Sequence, residues 1–284
     1  MGSVDPREPL RAVLGVHRVS DAEIRRLLRT AAADLTDVIL ANPLDTGVGT
    51  ALRQAQLRIQ ADEILRTLWL NTGRTVTRGR LAAVARAAQL GESQMRQLLG
   101  DLPPRAVQQL LDGTRMAARM AVARATARLA GEGAYDLSVR VYRNYALMRG
   151  RVDRMVNSAI ARNLGARELA REARAYILPT APGGASYSAL RLARTEINNS
   201  FHAMTTGYYA DNPLVDQMRW QLSRSHPRAD TCDDLVGDYS KLEVPSKPHP
   251  QCFCYVTPAP LNEREVLRRL DRGELDSWLQ RMGV

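Results

Sequence analysis

All three cysteines of the 284-residue chain, Cys232, Cys252 and Cys254, lie in one short C-terminal stretch that also contains His249. An odd number of clustered cysteines is a poor disulfide framework and is more typical of a metal site. Structural zinc ions take four Cys or His ligands in a tetrahedron, supplied by two short segments of chain. The pattern predicts one structural zinc ion bound by Cys232, His249, Cys252 and Cys254.

Two alternatives to this ligand set stay open in the sequence. Side chains on an extended segment point to alternate sides, so Cys252 and Cys254 could face apart, and His226 would then be the reserve ligand. In the other alternative the cysteines are small buried hydrophobic residues, while His226 and His249 bond the backbone of the turns.

A helical pair of polar residues, Arg194 and Glu196, could bind phosphate or move protons if it lined a cleft. Residues two positions apart on a helix do not face each other, which favours a structural role in which one of them bonds the loop around Asp230. The sequence shows no nucleophile elbow, no glycine loop that cradles phosphate and no histidine-zinc motif of a peptidase. We therefore expect no catalytic residues and no enzymatic activity.

A small α+β module is needed to position these residues. Helical periodicity runs from about residue 186 to residue 211. A half-buried strand is predicted from Asp216. Its apolar positions alternate with polar ones and are Met218, Trp220 and Leu222. A second short strand is expected near residues 253–257, which makes a two-stranded sheet beside the His and Cys cluster.

The chain divides into three predicted parts. They are a helical region (1–178), the module (186–257) and a C-terminal helical tail (258–284). Residues 179–184 are rich in turn-forming residues and mark the boundary before the module. Asn262 and Glu265 form a capping-box pattern, which predicts the helix of the tail.

The helical region is expected to contain a series of separate helices. Ser20 and Glu23 form a capping-box pattern that places the start of the first helix at Ser20. A second helix is expected over residues 50–70, because the Asn-Thr-Gly sequence at residues 71–73 is a stop signal. Gly91 is expected to interrupt the segment that follows.

Further breaks are predicted later in the helical region. Glycine and proline interrupt the helical pattern at residues 100–104, and glycine interrupts it at residues 131–133. Gly165 is a predicted C-cap, and a helix is expected after it from Ala166 to Ile177.

Composition predicts a mainly α fold, with a multi-helix N-terminal region followed by the small α+β module. Phe and Trp are scarce, at two and three residues, which suits helices packed through small side chains better than an aromatic-rich sandwich. The N-terminal residues lack the apolar region of a signal peptide, and no stretch approaches the roughly 20 apolar residues of a membrane span. We expect no membrane association.

The formal charge of +10 comes almost entirely from arginine, since Lys241 and Lys247 are the only lysines. The arginine guanidinium matches phosphate oxygens, so DNA contact is one interpretation, and a solvated basic surface is the other. Nine arginines lie between Arg140 and Arg174. The candidates for DNA contact without sequence preference are four arginines expected to project broadly to one side of a helix: Arg115, Arg119, Arg124 and Arg128.

Motifs in the module resemble those of the phage Mu F-like head morphogenesis family. They are Ala-Arg-Thr-Glu at residues 193–196, a strand Trp220, Asp-Thr-Cys at residues 230–232 and His-Pro-x-Cys-x-Cys at residues 249–254. The order and spacing of the four motifs are more specific than any one of them, and the resemblance covers residues 186–257. The chain differs from the commoner pattern in having Leu235 where many members have a second cysteine of the turn, and Phe253 between the last two cysteines.

The resemblance implies a structural minor capsid protein of a tailed bacteriophage, located in the virion at the portal vertex or in the capsid interior, and in the host cytoplasm during assembly. The implied partners are the portal protein, the capsid protein and packaged double-stranded DNA. Its implied role is binding, in head assembly and genome delivery.

The alternative function is a metal-dependent enzyme packaged in the virion that processes nucleic acid, a nuclease or a transferase. Such an enzyme needs polar residues beside an open metal position. The residues that could supply them are Asp230, Asp233, His226 and Glu196.

Overall fold

A computed structural model describes residues 5–43, 50–100, 104–179, 182–224, 226 and 229–284. The protein is mainly helical, with a small antiparallel sheet near the C-terminus and a His and Cys cluster, which confirms the predicted fold class. Within the described residues there are eight helices and three strands. The sheet therefore has one strand more than the two that were predicted.

The helices are α1 (Glu8–Ala41), α2 (Thr50–Leu99), α3 (Pro104–Ala130), α4 (Glu132–Ala161), α5 (Ala166–Ile177), α6 (Ala185–Ala210), α7 (Glu263–Asp271) and α8 (Asp276–Met282). The strands are β1 (Val215–Gln221), β2 (Gly237–Ser240) and β3 (Tyr255–Pro260). Among the helices of the described residues, none is long and apolar enough to cross a membrane.

Helix α1 begins about three turns before the predicted start at Ser20. Asp5 organises the true start, since its Oδ1 accepts the backbone N–H of Arg7 at 2.9 Å. The added turns bury Val13 and His17, and Ser20 itself is buried in the interior of the helix. The predicted start is wrong because a capping-box pattern lies inside a longer helix whose early turns have packing partners of their own.

Helix α2 continues through both glycine signals that were expected to end or interrupt it. A Cβ atom at Gly73 would lie 3.2 Å from a methyl group of Val141, and one at Gly91 would lie 2.5 Å from the ring of Tyr208. The predicted end near residue 70 and the predicted break at Gly91 are therefore wrong. These glycines allow neighbouring side chains to approach the helix closely.

Other predicted boundaries agree with the structure. α3 begins at Pro104, although residues 101–103 of that break lie outside the described residues, and α4 begins directly after Gly131. α5 spans the expected residues 166–177. Gly165, however, is the N-cap of α5 in an extended conformation, and Asn163 adopts the left-handed conformation with a φ of 52° after α4.

The sheet has the order β2-β1-β3 with both pairings antiparallel. The predicted alternation along β1 is confirmed at Met218 and Trp220, both fully buried, whereas Leu222 lies beyond the end of the strand. β3 begins at Tyr255, two residues later than expected. β2 was not predicted, because its Gly-Asp-Tyr-Ser sequence has little β propensity and depends on pairing with β1.

The C-terminal tail contains two helices. Asn262 caps α7 as predicted, with its side chain accepting the backbone N–H of Glu265 at 2.9 Å. α8 was not predicted, and it buries Trp278. A Cβ atom at Gly113 of α3 would lie 2.7 Å from the ring of Trp278, so this glycine also allows a close approach.

Two compact units are interleaved along the chain. Unit 1 comprises Met1–His17, Gly79–Gly131 and Arg194–Val284, and unit 2 comprises Arg18–Arg78 and Glu132–Ala193. The five candidate metal ligands all lie in unit 1. The three functional parts predicted from the sequence, with their boundary near residues 179–184, stay a prediction, and residues 180 and 181 lie outside the described residues.

Candidate metal centre

The three cysteines converge although they come from different loops. Cys232 lies in the turn before β2, and Cys252 and Cys254 lie in the segment before β3. All three side chains are buried, and the Sγ atoms of Cys232 and Cys252 are 3.4 Å apart. The Nε2 atom of His249 lies 3.2 Å from the Sγ atom of Cys232. Three of the four predicted ligands, Cys232, His249 and Cys252, therefore lie in one small region.

Two groups of three potential ligands share Cys232. One group contains Cys232, His249 and Cys252, and the other contains Cys232, Cys254 and His226. Within each group the ligand atoms lie within 4.8 Å of one another. These groups could hold a metal ion, and the reserve ligand His226 takes part in one of them. Which four residues bind, and whether the ion is zinc, stays a prediction.

Hydrogen bonds orient both histidines. The Nδ1 atom of His249 lies 3.0 Å from the carbonyl oxygen of Pro250, and its Nε2 atom faces Cys232. The Nε2 atom of His226 lies 2.9 Å from a carboxylate oxygen of Asp233. A carboxylate or carbonyl partner on one ring nitrogen is the usual arrangement of a histidine whose other nitrogen binds metal.

Asp230 holds the turn that carries Cys232. Its Oδ1 accepts the backbone N–H of Cys232 at 2.7 Å, and this bond lowers the pKa of the Asp230 carboxyl. Its Oδ2 lies 3.3 Å from Nε2 of His249. The contacts of Asp230 are thus with the turn and the histidines, and the predicted bond from Arg194 or Glu196 to this loop stays a prediction.

The thiols differ in acidity. Burial raises the pKa of Cys232 to about 12, whereas a hydrogen bond from Cys254 and the charge of Lys247 lower the pKa of Cys252. Cys252 accepts that hydrogen bond and Cys254 donates it, so the pKa of Cys254 is raised. Since metals bind thiolates, an ion must displace protons from these buried thiols, and metal binding is expected to release protons.

Helix α6 fixes the loop that carries Cys252. The Oγ1 atom of Thr195 accepts the backbone N–H of Gln251 at 3.1 Å, and Nδ2 of Asn198 donates to the carbonyl oxygen of Cys252 at 2.9 Å. The Nε2 atom of His17 in α1 lies 2.7 Å from Oδ1 of Asn198. The roles of these residues were not predicted, and the only signal in the sequence was the position of Thr195 inside the Ala-Arg-Thr-Glu motif.

The other motif residues, Glu196, Arg194 and Trp220, are buried or half-buried within the fold. Glu196 is buried in α6, and one of its carboxylate oxygens lies 3.7 Å from Nε of the buried Arg80 in α2. Arg194 is half-buried. Trp220 is fully buried in β1, where its ring stacks edge-on with that of His202 at 5.5 Å.

The four candidate arginines in α3, Arg115, Arg119, Arg124 and Arg128, do not share one side of the helix. The step of five residues from Arg119 to Arg124 rotates the side chain by about 140°, so the expectation of a single basic face is wrong. Arg115 pairs with Asp112 at 3.0 Å, and Arg124 pairs with Asp211 at the end of α6. Arg119 and Arg128 are exposed, and neither forms an ion pair among the described residues.

Comparison with models of known protein families, with curated proteins and with solved structures gave no match for this chain. The geometry of the His and Cys cluster and the resemblance of its motifs are therefore the basis on which a function is proposed.

Proposed function

We propose that the chain is a minor head protein of a tailed bacteriophage, which acts by binding at the portal vertex or in the capsid interior during head assembly and genome delivery. One observation carries the proposal. The motifs that resemble the Mu F-like family are separated along the chain, yet Thr195, Cys232 and Cys252 belong to one bonded cluster. Holding these loops together is a use for the motifs that needs no catalysis.

The proposal includes one zinc ion in the cluster. Thiol and imidazole groups from two loops are the donors that structural zinc prefers. Residues 241–254 contain no helix or strand, and the turn at residues 229–236 contains none either. Zinc would join these two loops and so stabilise the module.

Native mass spectrometry of metal-replete protein tests the zinc site. We expect a mass increase of one zinc ion per chain, and its loss after treatment with a strong chelator. A metal-free mass with an unchanged circular dichroism spectrum would contradict this part of the proposal.

The partners are tested with particles of the phage that encodes the chain. We expect mass spectrometry of purified virions to find the chain in few copies, and co-expression with the portal protein of the same genome to give a complex that survives size-exclusion chromatography. Absence of the chain from purified particles would overturn the proposed function. The capsid protein of that genome is the matched alternative partner in the co-expression experiment.

DNA contact is a separate part of the proposal. Of the four candidates, Arg119 and Arg128 form no ion pair with any residue that the structure describes, so they are better candidates than Arg115 and Arg124, whose charges are offset by carboxylates. Each lost phosphate contact lowers the slope of log affinity against log salt by about 0.9. We expect Arg119→Glu with Arg128→Glu to flatten the salt dependence of duplex binding more than the same change at Arg115 and Arg124. Equal DNA retention by both variants and the unmodified chain would assign these arginines to a solvated or protein-facing surface.

One observation favours the second candidate, a metal-dependent enzyme acting on nucleic acid. His226 and two exposed carboxylates, Asp230 and Asp233, form a third potential metal-binding group. An enzyme of this kind would cleave or modify DNA in the presence of a divalent cation, and Asp233→Asn would abolish that activity while leaving the fold intact. We expect no such activity from the unmodified chain, and a measured one would promote this candidate.

A further inference from the structure

Lys247 places an ammonium group beside the buried cysteines. Its Nζ atom donates a hydrogen bond to the carbonyl oxygen of Cys254 and lies 5.4 Å from the centre of the Trp220 ring. The only other lysine of the chain, Lys241, donates to the carbonyl oxygen of Asn212 at 2.7 Å. One of only two lysines is thus bonded to the loop that carries Cys252 and Cys254.

The charge of a zinc site depends on its ligands. Zn²⁺ with three thiolates and one neutral imidazole leaves one uncompensated negative charge, whereas two thiolates with two imidazoles leave none. A net charge among buried side chains is unfavourable unless an opposite charge lies close to it. The carboxylates of Asp230 and Asp233 contact the two histidines, and they do not offset a negative site.

We propose that Lys247 determines the ligand set of the zinc site, because its positive charge favours three thiolates with His249 over two thiolates with both histidines. The inference rests on the zinc ion proposed above. It adds a residue that lies in no metal-binding motif. It also makes His226 dispensable for binding, although a ring nitrogen of His226 lies within 4.8 Å of the sulfur atoms of Cys232 and Cys254.

The position of Lys247 supports this assignment. Its Nζ atom donates to the main-chain carbonyl oxygen of Cys254, one of the predicted ligands. The ammonium group is therefore held against the loop that carries two of the three thiols.

The test compares zinc affinity, by competition with a chromophoric chelator, in four proteins. They are the unmodified chain, Lys247→Met, Lys247→Arg and the control Lys241→Met. Lys247 is bonded to the main chain of a predicted ligand, and loss of an outer-shell hydrogen-bond partner of a metal site typically weakens metal binding by about 10–100-fold. We expect that loss in Lys247→Met, substantial recovery in Lys247→Arg, and no change in Lys241→Met.

A second readout counts thiolates. Cobalt(II) in the site gives a sulfur-to-metal charge-transfer absorption that grows with the number of thiolate ligands, and a purely structural role of Lys247 would not change it. We expect the intensity per bound cobalt to fall by about one third in Lys247→Met, as three thiolates become two. In that background His226→Ala should abolish the remaining binding, whereas in the unmodified chain His226→Ala should change neither affinity nor spectrum.

The outcomes separate the two proposals. No bound metal in the unmodified chain would overturn both the zinc site and the inference. Unchanged affinity and spectrum in Lys247→Met would overturn the inference alone. If Lys247→Met does not fold, the His226→Ala variant decides, since a tenfold loss of affinity there makes His226 a ligand and contradicts the selection of three thiolates.

Discussion

The cysteine-containing loops of unit 1 and the helices of unit 2 are stabilised in different ways. The loops depend on individual bonds, such as that from Asn198 to the carbonyl oxygen of Cys252 and that from Cys232 N–H to Asp230. In unit 2, helices satisfy their own backbone and pack through apolar side chains such as Val156 and Leu169. A segment without regular structure needs specific partners, whereas a helix needs only an apolar face. We therefore expect single substitutions to act through ligands and polar bonds in the first region and through lost volume in the second.

The largest expected effect comes from Cys232→Ser, because Cys232 belongs to both Cys-containing groups of potential ligands. Structural zinc contributes about 10–16 kcal/mol in zinc-finger peptides, so we expect a loss of at least about 5 kcal/mol of unfolding free energy together with the zinc. Zinc content and thermal unfolding with and without chelator measure both. An unchanged Tm and an unchanged zinc content in Cys232→Ser would mean that a metal bound by Cys232 does not stabilise the loops of unit 1.

The buried ion pair of unit 1 gives the next effect. In Glu196→Ala, Arg80 stays buried without this carboxylate, and we expect a loss of about 3–5 kcal/mol of unfolding free energy. The control is Glu172→Ala in unit 2, which breaks an exposed pair with Arg162 and is expected to cost about 0–1 kcal/mol. Urea unfolding of both variants measures the difference. Equal costs would mean that burial of the pair does not distinguish the two units.

Elements that carry their own periodicity or caps could be predicted from the sequence. α5, β1 and the Asn262 cap of α7 are examples, because the pattern of apolar residues or the cap is local. The convergence of Cys232 with Cys252 was also predicted, because clustered cysteines beside a histidine are more typical of a metal site than of a disulfide framework.

Features that depend on distant partners could not be predicted. Gly91 reads as a helix break in the sequence, and only the ring of Tyr208 reveals its packing role. β2 forms by pairing with β1 despite its weak propensity. Asn198 and Lys247 lie in no motif, and their roles follow from the position of the cysteine loop beside them.

Packing in unit 2 is tested at two neighbouring positions of α4. Met148 is buried, and its sulfur accepts the indole N–H of Trp69 at 3.2 Å, whereas Leu147 is 64% exposed. Met148→Ala is expected to cost about 2–5 kcal/mol, and Leu147→Ala close to nothing. Denaturant unfolding would contradict the packing account of unit 2 if the two variants had the same midpoint.

Two helical glycines of unit 1 should respond with opposite signs. A methyl group at Gly91 would overlap the Tyr208 ring, so Gly91→Ala is expected to destabilise by about 1–3 kcal/mol. Gly207 in α6 has no neighbour within 4 Å of a Cβ atom, and Gly207→Ala is expected to stabilise by up to about 1 kcal/mol through helix propensity. Two Tm shifts of the same sign would show that close packing at Gly91 is not what keeps this residue a glycine.

The smallest effect is expected at the exposed surface of the sheet. Arg219 of β1 donates two hydrogen bonds, at 2.8 and 2.7 Å, to the carboxylate of Asp238 in β2, and these bonds lower the pKa of Asp238. A lowered folded-state pKa means that the contribution to stability is present above the unfolded pKa of about 3.9 and is lost as the pH falls through the folded value. In Arg219→Ala the pKa of Asp238, followed by NMR, should rise toward the unfolded value, and the Tm difference from the unmodified chain should disappear in strong acid. Because both side chains are exposed, we expect that Tm difference to be small at neutral pH. A large loss of Tm would mean that this pair, rather than the metal ligands and the buried bonds, holds β2 to the sheet. Individual polar bonds would then determine stability at the surface of unit 1 as well as in its loops.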